Sequence, residues 1–323
     1  MAATATEGPV VVTGGAGAIG AVLVRELLAR GHEVRVVDNF SSGREAHLAG
    51  LPSGPGRLEV VRADLLRPDD YRSAFRGAVA VWHLAANPDI RLGTERPTID
   101  LEQGTLATFR VLESARAADV PAVAFSSSSV VYGFPTVFPT PEEYGPLLPQ
   151  SMYGANKLAS EGLLSAFAHS YGLRAYIYRF ANVIGPFMTH GILFDLFEKL
   201  RRDPNRLEVL GDGRQAKSYL RSEDCVGGML FAFERAREVV NVYNLGSRDR
   251  ISVREIAEKV VAAHGGRARI EYTGGDRGWV GDIPQQWLSI QRIERLGWRP
   301  TLSSAEAIDR TIQELARARG ISG

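Results

Sequence analysis

Up to Phe180 the chain alternates short apolar runs with amphipathic stretches, and this rhythm limits its fold more than any other feature. Val10–Thr13, Glu33–Asp38, Leu58–Arg62, Val79–Leu84, Ala122–Ser127 and Ala175–Phe180 read as strands. Helical spacing separates most of them. Ile19, Val22, Leu23 and Leu27 share one side of Ile19–Arg30, and Thr105–Ala118 and Tyr153–Tyr171 show similar patterns. Parallel strands need crossovers of a dozen or so residues, usually helical. The alternation therefore predicts an α/β fold, a Rossmann-type doubly wound parallel sheet with helices on both faces. Ligands of such sheets bind at the carboxyl ends of the strands.

After Phe180 the rhythm breaks. Asn182–Gly191 reads as a loop, Ile192–Arg201 as a helix, Leu207–Leu210 as a short strand, and Asp224–Glu234, Val253–His264 and Ser304–Ala318 as helices. With no repeat and no low-complexity tether, two interleaved domains are expected. Residues 1–181, with 222–245 returning to them, form the Rossmann domain; 182–221 and 246–323 form a smaller α/β domain. The 323 residues are 45% apolar, enough for a substantial core, and the charge balance of 38 − 37 = +1 offers no footprint for nucleic acid or an anionic membrane. Six histidines and the single Cys225 supply neither a metal-ligand cluster nor an intramolecular disulfide. No apolar run reaches the roughly 18 residues needed to span a bilayer. The single cysteine suits the reducing cytosol, so a cytoplasmic protein is expected, and Met1–Gly8, with neither the basic nor the apolar region of a signal peptide, reads as a short disordered lead.

TGGAGAIG, Thr13 to Gly20, stands between the first strand and the first helix. Gly14 permits a tight turn, Gly17 lets a pyrophosphate approach the backbone, and Gly20 lets the helix pack closely. Ala18 and Ile19 then open the helix, whose free N–H groups favour phosphate. Asp38 closes the second strand, where a carboxylate would accept hydrogen bonds from an adenosine ribose and repel a 2′-phosphate. The expected cofactor is therefore NAD, although Arg44 lies nearby.

In SMYGANKLASE, Tyr153 and Lys157 are four residues apart and share one helical face. A phenol with an ordinary pKa near 10 is a poor base, but a neighbouring ammonium and a positive nicotinamide ring favour the phenolate. FSSSSVVYG, Phe125 to Gly133, puts four serines at the carboxyl end of the fifth strand. There they could hold a substrate oxygen or form an ordinary serine-rich turn.

Together these residues resemble the extended short-chain dehydrogenase/reductase family over nearly the whole chain, and within it the UDP-glucose (UDP-galactose) 4-epimerases. The resemblance implies Ser128, Tyr153 and Lys157 as the catalytic set, with Tyr153 as base and Lys157 on the nicotinamide ribose. It implies Gly14, Gly17 and Gly20 around the pyrophosphate, Asp38 and Asn39 on the adenosine ribose, and Asp64 and Leu65 beside the adenine. Leu84, Ala85 and Ala86 would lie beneath the cofactor; Asn182, Lys217, Tyr219 and Arg277 would hold the nucleotide diphosphate and its sugar. Two positions depart from the pattern. Pro88 stands where many relatives have lysine, and Leu101 where asparagine is common ahead of Gly104–Thr105.

The implied activity is NAD-dependent C4 epimerisation of a nucleotide sugar through a transient 4-keto sugar. In the resembling sugar 4,6-dehydratases an Asp-Glu pair follows the catalytic threonine, and in the decarboxylases a Glu; here Ser129 and Val130 stand there. UDP-glucuronate 4-epimerisation and a non-catalytic NAD-binding regulator stay open as other readings. In GPFMTHG, Gly185 to Gly191, the pair Phe187–Met188 points to a sugar neutral at C6, unless His190 or Arg91 supplies a cation. A homodimer is expected through the two helices Thr105–Ala118 and Tyr153–Tyr171, with Leu112, Leu163, Leu164 and Phe167 serving core and interface together.

Overall fold

The computed structural model describes residues 8–51, 56–90, 92–278 and 283–320. The strands, in chain order, are β1 (Val10–Thr13), β2 (Glu33–Asp38), β3 (Arg57–Arg62), β4 (Ala80–His83), β5 (Ala122–Ser128), β6 (Arg174–Phe180), β7 (Asn182–Ile184), β8 (Arg206–Val209), β9 (Ala216–Lys217), β10 (Tyr219–Arg221), β11 (Val240–Leu245), β12 (Ile251–Ser252), β13 (Arg269–Tyr272) and β14 (Gln285–Gln286). The helices are α1 (Ala18–Ala29), α2 (Leu92–Glu95), α3 (Pro97–Asp100), α4 (Ala107–Ala117), α5 (Met152–Tyr171), α6 (Ile192–Arg202), α7 (Ser222–Arg235), α8 (Val253–Ala263), α9 (Gln291–Leu296) and α10 (Ser304–Ala318). Two compact units emerge. The first takes Met1–Gly133, Gly145–Arg179 and Met229–Tyr243, the second Phe134–Tyr144, Phe180–Gly228 and Asn244–Gly323.

The sheet has seven strands in the order β11-β6-β5-β4-β1-β2-β3. From β1 the chain builds outward through β2 and β3, then crosses back to β4 and builds the other way. The place between β1 and β4 is thus a topological switch point, where ligands of open α/β sheets bind. In parallel register Val10 sits opposite both Val34 of β2 and Ala80 of β4. All four residues of β1 are buried, as expected for a strand covered on both faces. The edge strand β3 instead exposes Arg57, Glu59 and Arg62, charges that discourage pairing with another chain.

Helix α5 carries the site. Ser151 caps it, accepting a hydrogen bond of 3.1 Å from the Gly154 N–H, and Gly172 ends it at φ +75°. Its buried stripe begins with Gly154, Asn156, Lys157, Ser160 and Glu161 and continues as Leu164, Phe167 and Ala168. One face therefore changes from polar to apolar along its length, site first and core second. Leu112, Leu164 and Phe167 join Val81, Val123, Phe125 and Ile177 in the core of the first unit.

Three expectations need correcting. Of the four residues expected to serve core and interface together, Leu112, Leu164 and Phe167 are 0%, 0% and 6% exposed within the chain itself and so cannot also face a partner, whereas Leu163 is half-buried. The exposed apolar residues on or beside these helices are Leu101, Leu106, Met152 and Tyr171. The helix predicted at Thr105–Ala118 begins earlier, as a π-helical turn over Leu101–Leu106 that runs into α4. Gly104 belongs to that turn, and the side chain of Asn156 fills the space a Cβ there would need. Finally, the segment read as a loop contains β7, paired in parallel with β10. Three-residue strands are too short to show an alternation. No helix of the described residues is long and apolar enough to cross a membrane.

Candidate active site

At the end of β1 the Gly14 N–H donates to the Val37 carbonyl at 2.9 Å, and the Leu84 N–H to the Thr13 carbonyl at 3.1 Å. The switch point is thus laced together by backbone. Gly14 has φ +70°, and a Cβ on it would lie 2.6 Å from the Ala85 nitrogen. Only glycine fits, and Ala85 owes its place beside the turn to that absence. A Cβ on Gly20 would collide with the Gly14 carbonyl, whereas one on Gly17 would meet only that oxygen at 3.2 Å. The bare backbone of the turn, followed by Ala18 and Ile19 in the first turn of α1, fits a pyrophosphate.

Asp38 is 8% exposed, and its two oxygens accept from the Ala16 and Phe40 N–H groups at 2.9 and 2.8 Å. Those donors fix the carboxylate and leave each oxygen a further lone pair for a ribose hydroxyl. Asn39 accepts from the Ser41 N–H and Asp64 from the Leu66 N–H, both at 3.0 Å. Leu65 is buried; Leu84, Ala85 and Ala86 are half-buried beyond β4.

Tyr153 stands in the first turn of α5 and Lys157 one turn later. The Lys157 Nζ lies 5.6 Å from the centre of the Tyr153 ring and 4.7 Å from that of Phe125. It donates to the Ser126 carbonyl at 2.7 Å, which leaves two of its hydrogens uncommitted among the described residues. Burial lowers Lys157 to about 7, against the opposing pull of Asp100 and Glu161. Burial, with the Asp100 carboxylate adding to it, raises the Tyr153 phenol above its ordinary value. In the chain alone, then, the pair does not yield a phenolate. The expected downward shift needs the second positive charge, that of the nicotinamide.

The serine run resolves into separate roles. Ser126 donates to the His83 carbonyl at 3.3 Å and Ser127 to Glu161 at 2.5 Å, and Ser129 is buried. Ser128 alone is half-buried. Its Oγ accepts from the Val130 N–H at 3.4 Å, so its own hydrogen remains free to donate. Around this set lie groups that sequence reasoning missed. Glu161 is clamped by Arg179, whose Nη2 approaches at 2.7 Å and whose Nη1 donates to the Tyr132 hydroxyl at 3.0 Å. His83 sits between the hydroxyls of Thr13 (2.7 Å) and Thr108 (3.0 Å). Burial first, and the charge of Lys157 second, lower it to about 3, which keeps the imidazole neutral. Asp100 is wholly buried. Only Asp100's nearness to the Leu101 departure marked that stretch in the sequence.

The four residues expected to hold the nucleotide lie in the second unit. The Asn182 Nδ2 donates to the Ser218 carbonyl at 3.2 Å and to the Gln286 side chain. Lys217 is half-buried on β9. The Arg277 guanidinium lies 4.7 Å over the ring of Phe134, with the side chain 47% exposed. Tyr219 is 3% exposed and packs with Ile184, Leu193 and Phe197 in the core of that unit. Met188 packs partly against the same core and His190 is exposed; Arg91 lies outside the described residues.

The profile of the NAD dependent epimerase/dehydratase family matches residues 10–246. A UDP-glucose 4-epimerase of Mycolicibacterium smegmatis is 32% identical, over 94% of this chain and 96% of its own. A UDP-glucuronic acid decarboxylase of Arabidopsis thaliana is 30% identical, over 94% of this chain and 69% of its own. Among solved structures, a UDP-galactose 4-epimerase is 40% identical with a TM-score of 0.85, covering 96% of this chain and 99% of that one.

Proposed function

The chain belongs to the NAD dependent epimerase/dehydratase family and uses NAD, and we propose that it inverts C4 of a UDP-linked sugar, UDP-glucose or UDP-galactose, through a transient 4-keto sugar. One observation carries the reading. Half-buried Ser128 is followed by buried Ser129 and by Val130, neither of which can act as an acid or base for elimination or decarboxylation. An oxidation at C4 then has no further step to feed, and it reverses.

Bound NAD would supply the acceptor and donor of the C4 hydride and a positive ring that favours the Tyr153 phenolate. Tyr153 removes the proton of the 4-hydroxyl through its Oη, which has no hydrogen-bond partner among the described residues. It gives the proton back after the ketone has turned. Ser128 donates its free hydrogen to the same sugar oxygen. Lys157 spends its two uncommitted hydrogens on the nicotinamide ribose and on the phenolate side. Arg277 is the cation we assign to the diphosphate, which a guanidinium can grip through several N–H groups at once.

The test is incubation of the purified enzyme with UDP-glucose, UDP-galactose and UDP-glucuronate, read by chromatography. Interconversion of the first two supports the reading. Release of CO2 or of water-eliminated product overturns it. Conversion of UDP-glucuronate alone to its C4 epimer moves the assignment to that sugar, a reading favoured by the exposed His190 in the loop after β7.

A further inference from the structure

Ser128 is assigned to a sugar oxygen, yet little holds its hydroxyl in place. Its Oγ meets one partner among the described residues, the Val130 N–H at 3.4 Å, a contact inside its own turn. That turn leaves the end of β5, runs through Ser129–Tyr132 and closes at Gly133, whose φ is +63°. A turn of this kind takes its place from the elements that grip its two ends.

Four buried side chains supply the grip. Before the turn, the Ser127 hydroxyl donates to Glu161 Oε1 at 2.5 Å. After it, the Tyr132 hydroxyl accepts from Arg179 Nη1 at 3.0 Å, with the guanidinium 4.9 Å over the Tyr132 ring. Glu161 and Arg179 join the two sides. Arg179 Nε donates to Oε1 at 3.0 Å and Nη2 to Oε2 at 2.7 Å, a bidentate pair. A buried ion pair is weak evidence for stability, because desolvation offsets much of its attraction. Here each charge also holds one flank of a single turn. Helix α5 meets the same strand at a second point, since Lys157, one helical turn before Glu161, donates to the Ser126 carbonyl at 2.7 Å. Two successive turns of α5 thus dock on Ser126 and Ser127, and Ser128 is the next residue.

We propose that the Glu161–Arg179 ion pair positions Ser128: by holding Ser127 on one side and Tyr132 on the other, it sets where the Ser128 hydroxyl stands relative to Tyr153 and Lys157. Glu161 and Arg179 are positioning residues that act through the turn. The inference rests on the assignment of Ser128 to the sugar oxygen. A role in stability alone would change kcat by the same factor whether or not residue 128 carries a hydroxyl.

The experiment is a double-mutant cycle with Ser127→Ala and Tyr132→Phe, each made alone and each combined with Ser128→Ala. Both outer substitutions remove one hydroxyl and leave the ion pair in place. Alone, each should lower kcat about tenfold and change KM less than about twofold, because a misplaced hydroxyl is felt in the transition state. Added to Ser128→Ala, each should lower kcat by less than about twofold, since no hydroxyl remains to be misplaced. Equal losses in the two backgrounds overturn the proposal, and so does wild-type kcat in both single variants. Turnover is read on whichever of UDP-glucose, UDP-galactose and UDP-glucuronate the wild type converts, so a wrong sugar leaves the cycle intact. In parallel, crystal structures of the NAD-loaded wild type and the two outer variants read the geometry without turnover. A Ser128 Oγ displaced by about 1 Å supports the proposal; an Oγ in its wild-type place in both variants overturns it. If Ser128→Ala is as active as wild type, the catalytic assignment has failed, and the crystal structures alone decide whether the pair places the hydroxyl. If one outer variant does not fold, the other decides by the same criteria.

Discussion

The groups assigned to the reaction in the first unit and the cation assigned to the substrate in the second are held in different ways. In the first, the groups around the reaction are buried and tied to one another: Lys157 to the Ser126 carbonyl, Glu161 to Arg179, His83 between two threonines, Asp38 on two backbone N–H groups. In the second, the cation assigned to the substrate is 47% exposed and rests on the face of one ring, and the loop after β7 ends in an exposed histidine. The contrast follows from what each must do. Proton and hydride transfer need atoms held to fractions of an ångström in a dry setting. On the proposed reading a nucleotide sugar enters and its ring turns while the diphosphate stays fixed, a task that suits a solvent-facing guanidinium such as that of Arg277.

Substitutions in the two units should therefore fail differently, and the largest failure belongs to the first. Tyr153→Phe keeps the ring and removes the base. We expect kcat to fall about 10³-fold while NAD remains bound, as shown by nicotinamide nucleotide released on denaturing the purified variant. A variant that turns over at nearly the wild-type rate would show the proton leaving by another group, and would erase the division of labour between the units.

The same contrast explains what the sequence disclosed. The phosphate turn, Asp38 and the Tyr153–Lys157 spacing are local patterns, and each maps onto a strand end or a single helix face. Read from the residues alone the serine run was legible only as a cluster, and it was the family resemblance that singled out Ser128. Which serine remains available was decided by Glu161 and His83, residues far away in sequence. The exposed apolar residues near α4 and α5 were missed for a related reason. A helical stripe shows which residues are apolar, but not which of them the chain's own sheet covers. If the chain pairs with a second copy, Leu101, Leu106, Met152 and Tyr171 are the residues to cover. Light scattering should then give twice the chain mass, and Leu106→Glu should restore the single-chain mass.

A smaller effect is expected at C6 of the sugar. Phe187 and Met188 cannot compensate the desolvation of a carboxylate, which costs several kcal/mol when it is left unpaired. Because the loop is only half-buried, part of that cost is relieved, and kcat/KM for UDP-glucuronate should be roughly 10²-fold below that for UDP-glucose. A ratio above one in favour of UDP-glucuronate would mean that a cation lines the C6 end. Replacing His190 by Ala would then identify or exclude the exposed imidazole as its source.

The smallest effect is predicted for Arg277. Its guanidinium is partly solvated, so a diphosphate gains from it only what a half-exposed charged hydrogen bond supplies, on the order of 1.5 kcal/mol. Arg277→Ala should accordingly raise KM about tenfold and lower kcat by less, because the grip is made equally before and during the reaction. The face of Phe134 under the guanidinium adds a condition. It holds the planar group in place, and a lysine ammonium has neither the plane to stack there nor the fork to hold two oxygens. Arg277→Lys should therefore recover less than half of the lost binding free energy, and Phe134→Leu should raise KM by a few-fold with Arg277 intact. Full recovery by lysine would reduce Arg277 to a point charge and detach Phe134 from substrate binding. An Ala variant with unchanged KM would remove this arginine from the substrate site altogether and leave the grip on the diphosphate to other cations of the second unit.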